Sequence, residues 1–166
     1  MTKIEASVGD VFAIPIDESR WGAGQVVAEY GKSQIYLAAY DYLVESPTRL
    51  DPNDVVSRPL LLLALSFDGL IYAGEWPLVG RVDVPTDMPL PAYKLGSPDQ
   101  LMVVDYSGKR ERTATVVEAD ALPFRTTVAA VRLEKALQAI YGVGEWNPEW
   151  DELRPQWTTT AKFFGD

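Results

Sequence analysis

Cysteine and histidine are both absent from the 166 residues. Without cysteine there is no disulfide, thiol nucleophile, iron–sulfur cluster or cysteine-ligated zinc. Without histidine there is no serine–histidine triad, no imidazole general base and no imidazole metal site. A metal would have to be held by oxygen alone, which is the chemistry of calcium or magnesium rather than zinc. The calcium-loop pattern is also missing: Asp51-Pro52-Asn53-Asp54 alternates oxygen ligands but has no glycine and no following glutamate in register. No Gly-x-Ser-x-Gly element, phosphate loop or dinucleotide fingerprint occurs. Neither a metal nor a cofactor is expected. Long apolar runs are lacking too: the longest, Pro59 to Leu65, is far too short to span a bilayer. The N-terminus has no basic start followed by an apolar stretch, so a soluble cytoplasmic protein is expected.

Positive charge is scarce, with 15 Lys and Arg against 24 Asp and Glu, a net charge of −9. The acidity is spread along the chain, −6 over residues 1–83 and −3 over residues 84–166. Such a surface repels nucleic acid and anionic membranes, and suits a basic partner. The only basic cluster, Lys109-Arg110-Glu111-Arg112, is interrupted by an acid and reads as a solvated strand end.

Hydrophobic residues make up 47% and charged residues 23%, the composition of a globular chain long enough to bury its own core. One domain over residues 1–166 is expected. Val11–Ile16, Gly22–Tyr30 and Gln34–Asp41 are rich in β-branched and aromatic residues and separated by short polar turns, a meander of three strands. Gly22 and Gly24 inside the second strand predict a bulge or tight bend. Three prolines between Ser46 and Pro59 make that stretch a loop with room for one helical turn. Leu60–Phe67 reads as a continuous apolar strand, and Asp68-Gly69 as a hairpin turn into a strand over Leu70–Glu75. Four prolines make Trp76–Pro91 irregular or edge-like. Leu101–Tyr106 and Arg110–Val117 flank a further turn at Ser107-Gly108-Lys109. One helix is predicted, Thr127–Tyr141, capped by Thr126 or Thr127, ended at Gly142, with Ala130, Leu133, Leu137, Ile140 and Tyr141 toward the sheet. These elements predict an α+β fold, mostly β: a bent antiparallel sheet or partly open small barrel (1–120), one packed helix (about 127–141), and a tail wrapping the core (144–166).

Two places combine carboxylates with a tryptophan. In the first turn, Asp17 and Glu18 precede Trp21, with Asp10 and Glu75 as candidates to join them; paired carboxylates can do acid–base work or hold a cation, and also occur in ordinary solvated turns. In the tail, Glu145, Glu149, Asp151 and Glu152 interleave with Trp146 and Trp150. Aromatic anchors ringed by acids are what a binding site for a basic protein requires. The competing reading is a wrap that buries its indoles against the core and points its acids to water.

The opening Gly9-Asp10-Val11-Phe12-Ala13-Ile14-Pro15-Ile16, the following Arg20-Trp21-Gly22-Ala23-Gly24-Gln25-Val26, and Ile71-Tyr72-Ala73-Gly74-Glu75-Trp76-Pro77-Leu78-Val79-Gly80 resemble the immunity protein 26 family of bacterial polymorphic toxin systems. The resemblance covers roughly the first 90 residues and leaves the tail without a counterpart. It implies a β-rich, non-enzymatic protein that binds and blocks a cognate toxin, and the acidity fits a basic, nucleic-acid-directed one. Some members of the family carry the label of small phosphotriesterases, which implies the alternative of a hydrolase using carboxylates and a hard metal. Such hydrolysis usually relies on a metal-activated hydroxide held by histidines, which this chain lacks. The tail acids and indoles are the preferred partner-binding site, the first turn the second.

Overall fold

The computed structural model describes residues 5–165 and shows an α+β fold, mostly β, with eight strands in two antiparallel sheets. Strands β1 (Asp10–Pro15), β2 (Trp21–Tyr30) and β3 (Gln34–Val44) form the predicted three-strand meander, and β4 (Leu60–Ser66) pairs antiparallel with β3. The strand β5 (Leu78–Arg81) joins β1 at the far edge, giving the order β4-β3-β2-β1-β5. A smaller sheet follows, β6 (Tyr93–Ser97), β7 (Gln100–Val104) and β8 (Glu111–Thr113), in sequence order. The strands thus lie in two separate sheets, and no closed barrel forms among the described residues.

Both faces of the larger sheet are covered, which is why its strands read as near-continuous apolar runs rather than a strict alternation. Side chains still alternate by the pleat. Phe12, Ile14, Val26, Leu37 and Leu62 enter one layer, and Val11, Ala13, Tyr36, Tyr40, Leu63 and Leu65 the other. The first layer is closed by helix α4 (Ala130–Ile140), which buries Ala130, Leu133, Ala136 and Leu137 at helical spacing. The second is closed by α1 (Pro52–Ser57), through Val55, and by Tyr93 at the start of β6. Gly24 is required by packing. A Cβ there would lie 2.5 Å from the Ala38 carbonyl oxygen and 2.7 Å from the Phe12 ring, which stacks on the fully buried Trp76 with centroids 5.1 Å apart. The pairing of β2 with β3 slips between Trp21 and Ala23, at Gly22, where the Leu137 side chain of α4 comes down onto the strand.

Four expectations need correction. Asp68-Gly69 does not turn a hairpin: α2 (Gly69–Tyr72) follows, burying Ile71 beside α4, and the chain folds back so that Trp76 reaches Phe12. The strand expected over Arg110–Val117 stops at Thr113, because Thr115 and Glu118 form a reciprocal capping box that starts α3 (Val116–Ala121). Helix α4 begins at Ala130, with Ala129 rather than Thr126 or Thr127 at its cap, because the Val128 N–H is held extended by a 3.0 Å bond to the Leu65 carbonyl of β4. The predicted helix is also joined by others: besides α1–α3, a 3₁₀ helix spans Pro148–Leu153 and α5 spans Thr160–Phe164. The ladder β6 makes with β7, in the wake of the proline-rich stretch, is not anticipated by its residues. No helix among the described residues is long and apolar enough to cross a membrane.

Candidate functional site

The tail site is shaped by its own local chemistry. The Asn147 side chain accepts a hydrogen bond from the Glu149 N–H, and Pro148 presets the first turn, so the chain winds into a 3₁₀ helix. Its last residue, Leu153, is buried in the first core layer, and this docks the segment along α4 and β4. Trp146 and Trp150 are half-buried on the same layer and meet edge to face, ring centroids 5.6 Å apart. The indoles are thus anchors and partial surface at once.

The four acids separate into two kinds. Asp151 accepts a 2.9 Å hydrogen bond from the Trp146 Nε1, and Arg154 lies both over that indole and 3.8 Å from the same carboxylate. Glu152 pairs with Arg132 of α4 at 3.4 Å. Both are engaged within the molecule. Glu145 and Glu149 are exposed and make no side-chain contact of this kind among the described residues. They are the acids the fold leaves open to a partner.

At the first turn, Asp17 accepts from the Ser19 N–H and from Arg20, whose guanidinium holds the carboxyl below its usual range. Arg20 also donates to the Tyr141 carbonyl at the end of α4, 3.2 Å away. This places the Asp17–Glu18 turn against the very helix end from which the tail departs. Glu18 is exposed. Trp21 belongs to the opposite layer, packed with the second core, so it does not join Trp146 and Trp150.

The expected convergence of Asp10 and Glu75 on this turn does not occur. Asp10 sits at the other end of β1, buried, bonded to the Ser7 N–H and to Arg81. Glu75 is exposed in the turn after α2, where its N–H bonds the Leu70 carbonyl. Asp51 caps α1, and Asp54 pairs with Arg58. Among the described residues no three acids gather closely enough to hold a metal ion. Within Lys109–Arg112, Arg110 is tied to Asp105 and Arg112 to Glu118, as a structural hairpin end.

One feature escaped the sequence. A cavity of about 510 Å³ opens beside β4, walled in part by Tyr36, Leu63, Leu65, Tyr93, Phe124 and Arg154. Behind it Tyr36 donates to the Tyr106 carbonyl at 2.6 Å and its hydroxyl lies 3.1 Å from that of Tyr93. Burial first, and then the neighbouring hydroxyl, pushes the Tyr36 phenol well up, and burial pushes Tyr93 up to about 12. These groups are neutral fixtures of the wall. Nothing in the local pattern marks them, because the residues that meet here come from segments far apart in the chain.

The tail thus sets exposed carboxylates beside half-buried indoles on a β-rich scaffold, with an open cavity nearby. The model of the family Immunity protein 26 matches residues 7–98, more than half of the chain, and the chain belongs to that family. Family membership suggests an antitoxin role and a cognate toxin as partner, and argues for a non-enzyme. No curated protein and no solved structure matches the chain.

Proposed function

We propose that this chain neutralises a cognate bacterial toxin by binding it and masking its active site, with the tail as the principal contact. The observation that carries this reading is the pair Glu145 and Glu149, exposed and without an ion-pair partner among the described residues, beside Trp146 and Trp150 on a scaffold of the immunity family. Rigid aromatics supply contact area, and free carboxylates steer a basic partner toward it. A toxin that acts on nucleic acid has a basic site of its own, and the net charge of −9 complements it. The Asp17–Glu18 turn, joined to the end of α4 through Arg20, extends the acidic rim of the same region.

The test is co-expression with the product of the adjoining open reading frame. The expected results are co-purification at one-to-one stoichiometry and rescue of growth when that product is toxic. A toxic neighbour that neither binds this chain nor is silenced by it would overturn the reading.

A further inference from the structure

The cavity beside β4 lies along the open edge of the larger sheet. Its walls include Leu63 and Leu65 from one core layer and Ala64, Val128 and Leu153 from the other. Consecutive residues of a strand point to opposite faces, so a hollow lined by both sets must straddle the strand's edge. β4 is an edge strand, bonded only to β3 within its sheet.

The backbone of that edge is partly unclaimed. The Leu65 carbonyl turns away from β3 to accept the Val128 N–H, and Ser66 Oγ donates to the Val128 carbonyl at 2.6 Å. With a period of two, the Leu63 N–H and carbonyl also face outward. No hydrogen bond from outside the sheet reaches either Leu63 group, or the Leu65 N–H, among the described residues. Val128 therefore occupies one outward position of that edge, and the cavity lined by Leu63, Leu65 and Val128 lies beside the rest. The same connecting segment caps the second sheet, where Phe124 bridges in parallel to Lys94.

From these features we propose that the β4 edge is a strand-acceptor site that takes one extended segment of the toxin, a segment that is apolar at alternate positions and carries a Lys or Arg beside them. This rests on the antitoxin reading above and names a second contact for it. An unpaired edge supplies main-chain donors and acceptors, and alternate pockets supply side-chain choice. The volume of about 510 Å³ suits a few extended residues, since cavities that hold drug-sized ligands run from about 300 to 1,000 Å³. The charge preference comes from the chain's net charge of −9, since Asp151 and Glu152 in the wall are already held by Arg154 and Arg132.

The product of the adjoining open reading frame serves as probe, titrated against the wild type, Leu63→Pro and Leu63→Val. Proline deletes the outward N–H and leaves the ladder to β3 intact, since prolines are tolerated where the N–H faces away; valine keeps the N–H. We expect Leu63→Pro to weaken binding at least tenfold and Leu63→Val to weaken it less than tenfold. Amide hydrogen exchange of the wild type gives a second measure that needs no variant to fold. Exchange at the Leu63 and Leu65 amides should slow at least tenfold in the saturated complex. Wild type that binds while both amides exchange unchanged, or a folded Leu63→Pro that loses less than tenfold, overturns the strand-acceptor site alone. A tenfold loss with Leu63→Val does the same, because side-chain packing would then account for it. Wild type that does not bind at all overturns the antitoxin reading, and this one with it.

Discussion

Trp76 is the residue whose removal the structure values most clearly. It is fully buried, stacks on Phe12 with ring planes 8° apart, and donates from Nε1 to Glu134 of α4 at 3.0 Å. A buried tryptophan removes about 200 Å² of mostly apolar surface from water, worth about 5 kcal/mol at ~25 cal/mol per Å². Measured truncations of large aromatics to alanine cost about 3–5 kcal/mol, since the site collapses in part. Trp76→Ala is therefore expected to cost about 4 kcal/mol, a large share of a total of about 5–15 kcal/mol. At about 2–4 °C per kcal/mol for a chain of this size, the melting midpoint should fall by about 8–16 °C. Trp76→Phe isolates the hydrogen bond and the lost ring area, and should cost about 1–2 kcal/mol, because the half-exposed Glu134 can turn to water. Urea unfolding followed by circular dichroism, with melting curves alongside, measures both. A Trp76→Ala protein that melts within about 3 °C of wild type would refute the reasoning, since so small a shift corresponds to about 1 kcal/mol and leaves no room for a buried stack of this size.

Gly24→Ala should cost about 1–3 kcal/mol in the same unfolding assay, because its methyl would meet the Ala38 carbonyl and the Phe12 ring; an unchanged midpoint would show that the sheet yields there. The double variant Glu145→Gln/Glu149→Gln should slow association with the toxin about 2–10-fold at low salt by stopped flow, the difference closing near ~1 M salt; equal low-salt rates would remove these acids from the interface. Asp151→Asn/Glu152→Gln should instead lower the melting temperature with a smaller change in association rate, because these carboxylates hold Trp146, Arg154 and Arg132. Burial raises the phenols of Tyr36, Tyr40, Tyr93 and Tyr141, four of the eight tyrosines, so the folded state keeps protons that the unfolded chain releases above about pH 10. Stability should accordingly fall as pH rises past about 10, and part of the tyrosinate absorbance should appear only with unfolding; the whole of it appearing while the protein stays folded would contradict this.

Much of the larger sheet is legible in the sequence because its signals are local. The turns at Asp17–Arg20 and Gly31–Ser33 fix the meander, and the apolar run from Leu60 has no other use than a strand covered on both faces. What defeats local reading is competition from distant partners. Asp68-Gly69 carries the dipeptide of a hairpin, yet burial of Ile71 and Trp76 bends the chain into α2 instead. The start of α4 is moved by a bond from Val128 to Leu65, far back in the chain, that no capping residue could reveal. The stop of β8 is readable: Thr115-x-x-Glu118 is a capping box, and its Arg112 partner draws the Glu118 carboxyl down to about 2. At the tail, composition picks out the acids and indoles, but only the fold separates Glu145 and Glu149 from the internally paired Asp151 and Glu152. The open β4 edge has no sequence signature, since exposure of a backbone is decided by what fails to cover it.

The stretch matched by the family ends at residue 98, and the layout explains why the remainder cannot be a loose appendage. The matched part holds β1–β5 and with them Phe12, Ile14, Val26, Leu37 and Leu62, an apolar face that Ile71 and Trp76 of the same stretch cover in part. The rest of the cover is Leu133, Ala136 and Leu137 of α4, together with Leu153, all from beyond residue 98. The inward side of the tail is therefore bound to the scaffold by packing, where a lost methylene is felt. Its outward side answers to no such constraint: the carboxylates of Glu145 and Glu149 are exposed and hold no partner among the described residues. Under the proposed antitoxin role this division keeps one sheet fixed while a segment anchored on it carries residues free to match a particular toxin. The edge of β4 borders the same segment, so the two proposed contacts, main-chain pairing, which tolerates many sequences, and charge, which selects among them, would meet at one rim of the molecule.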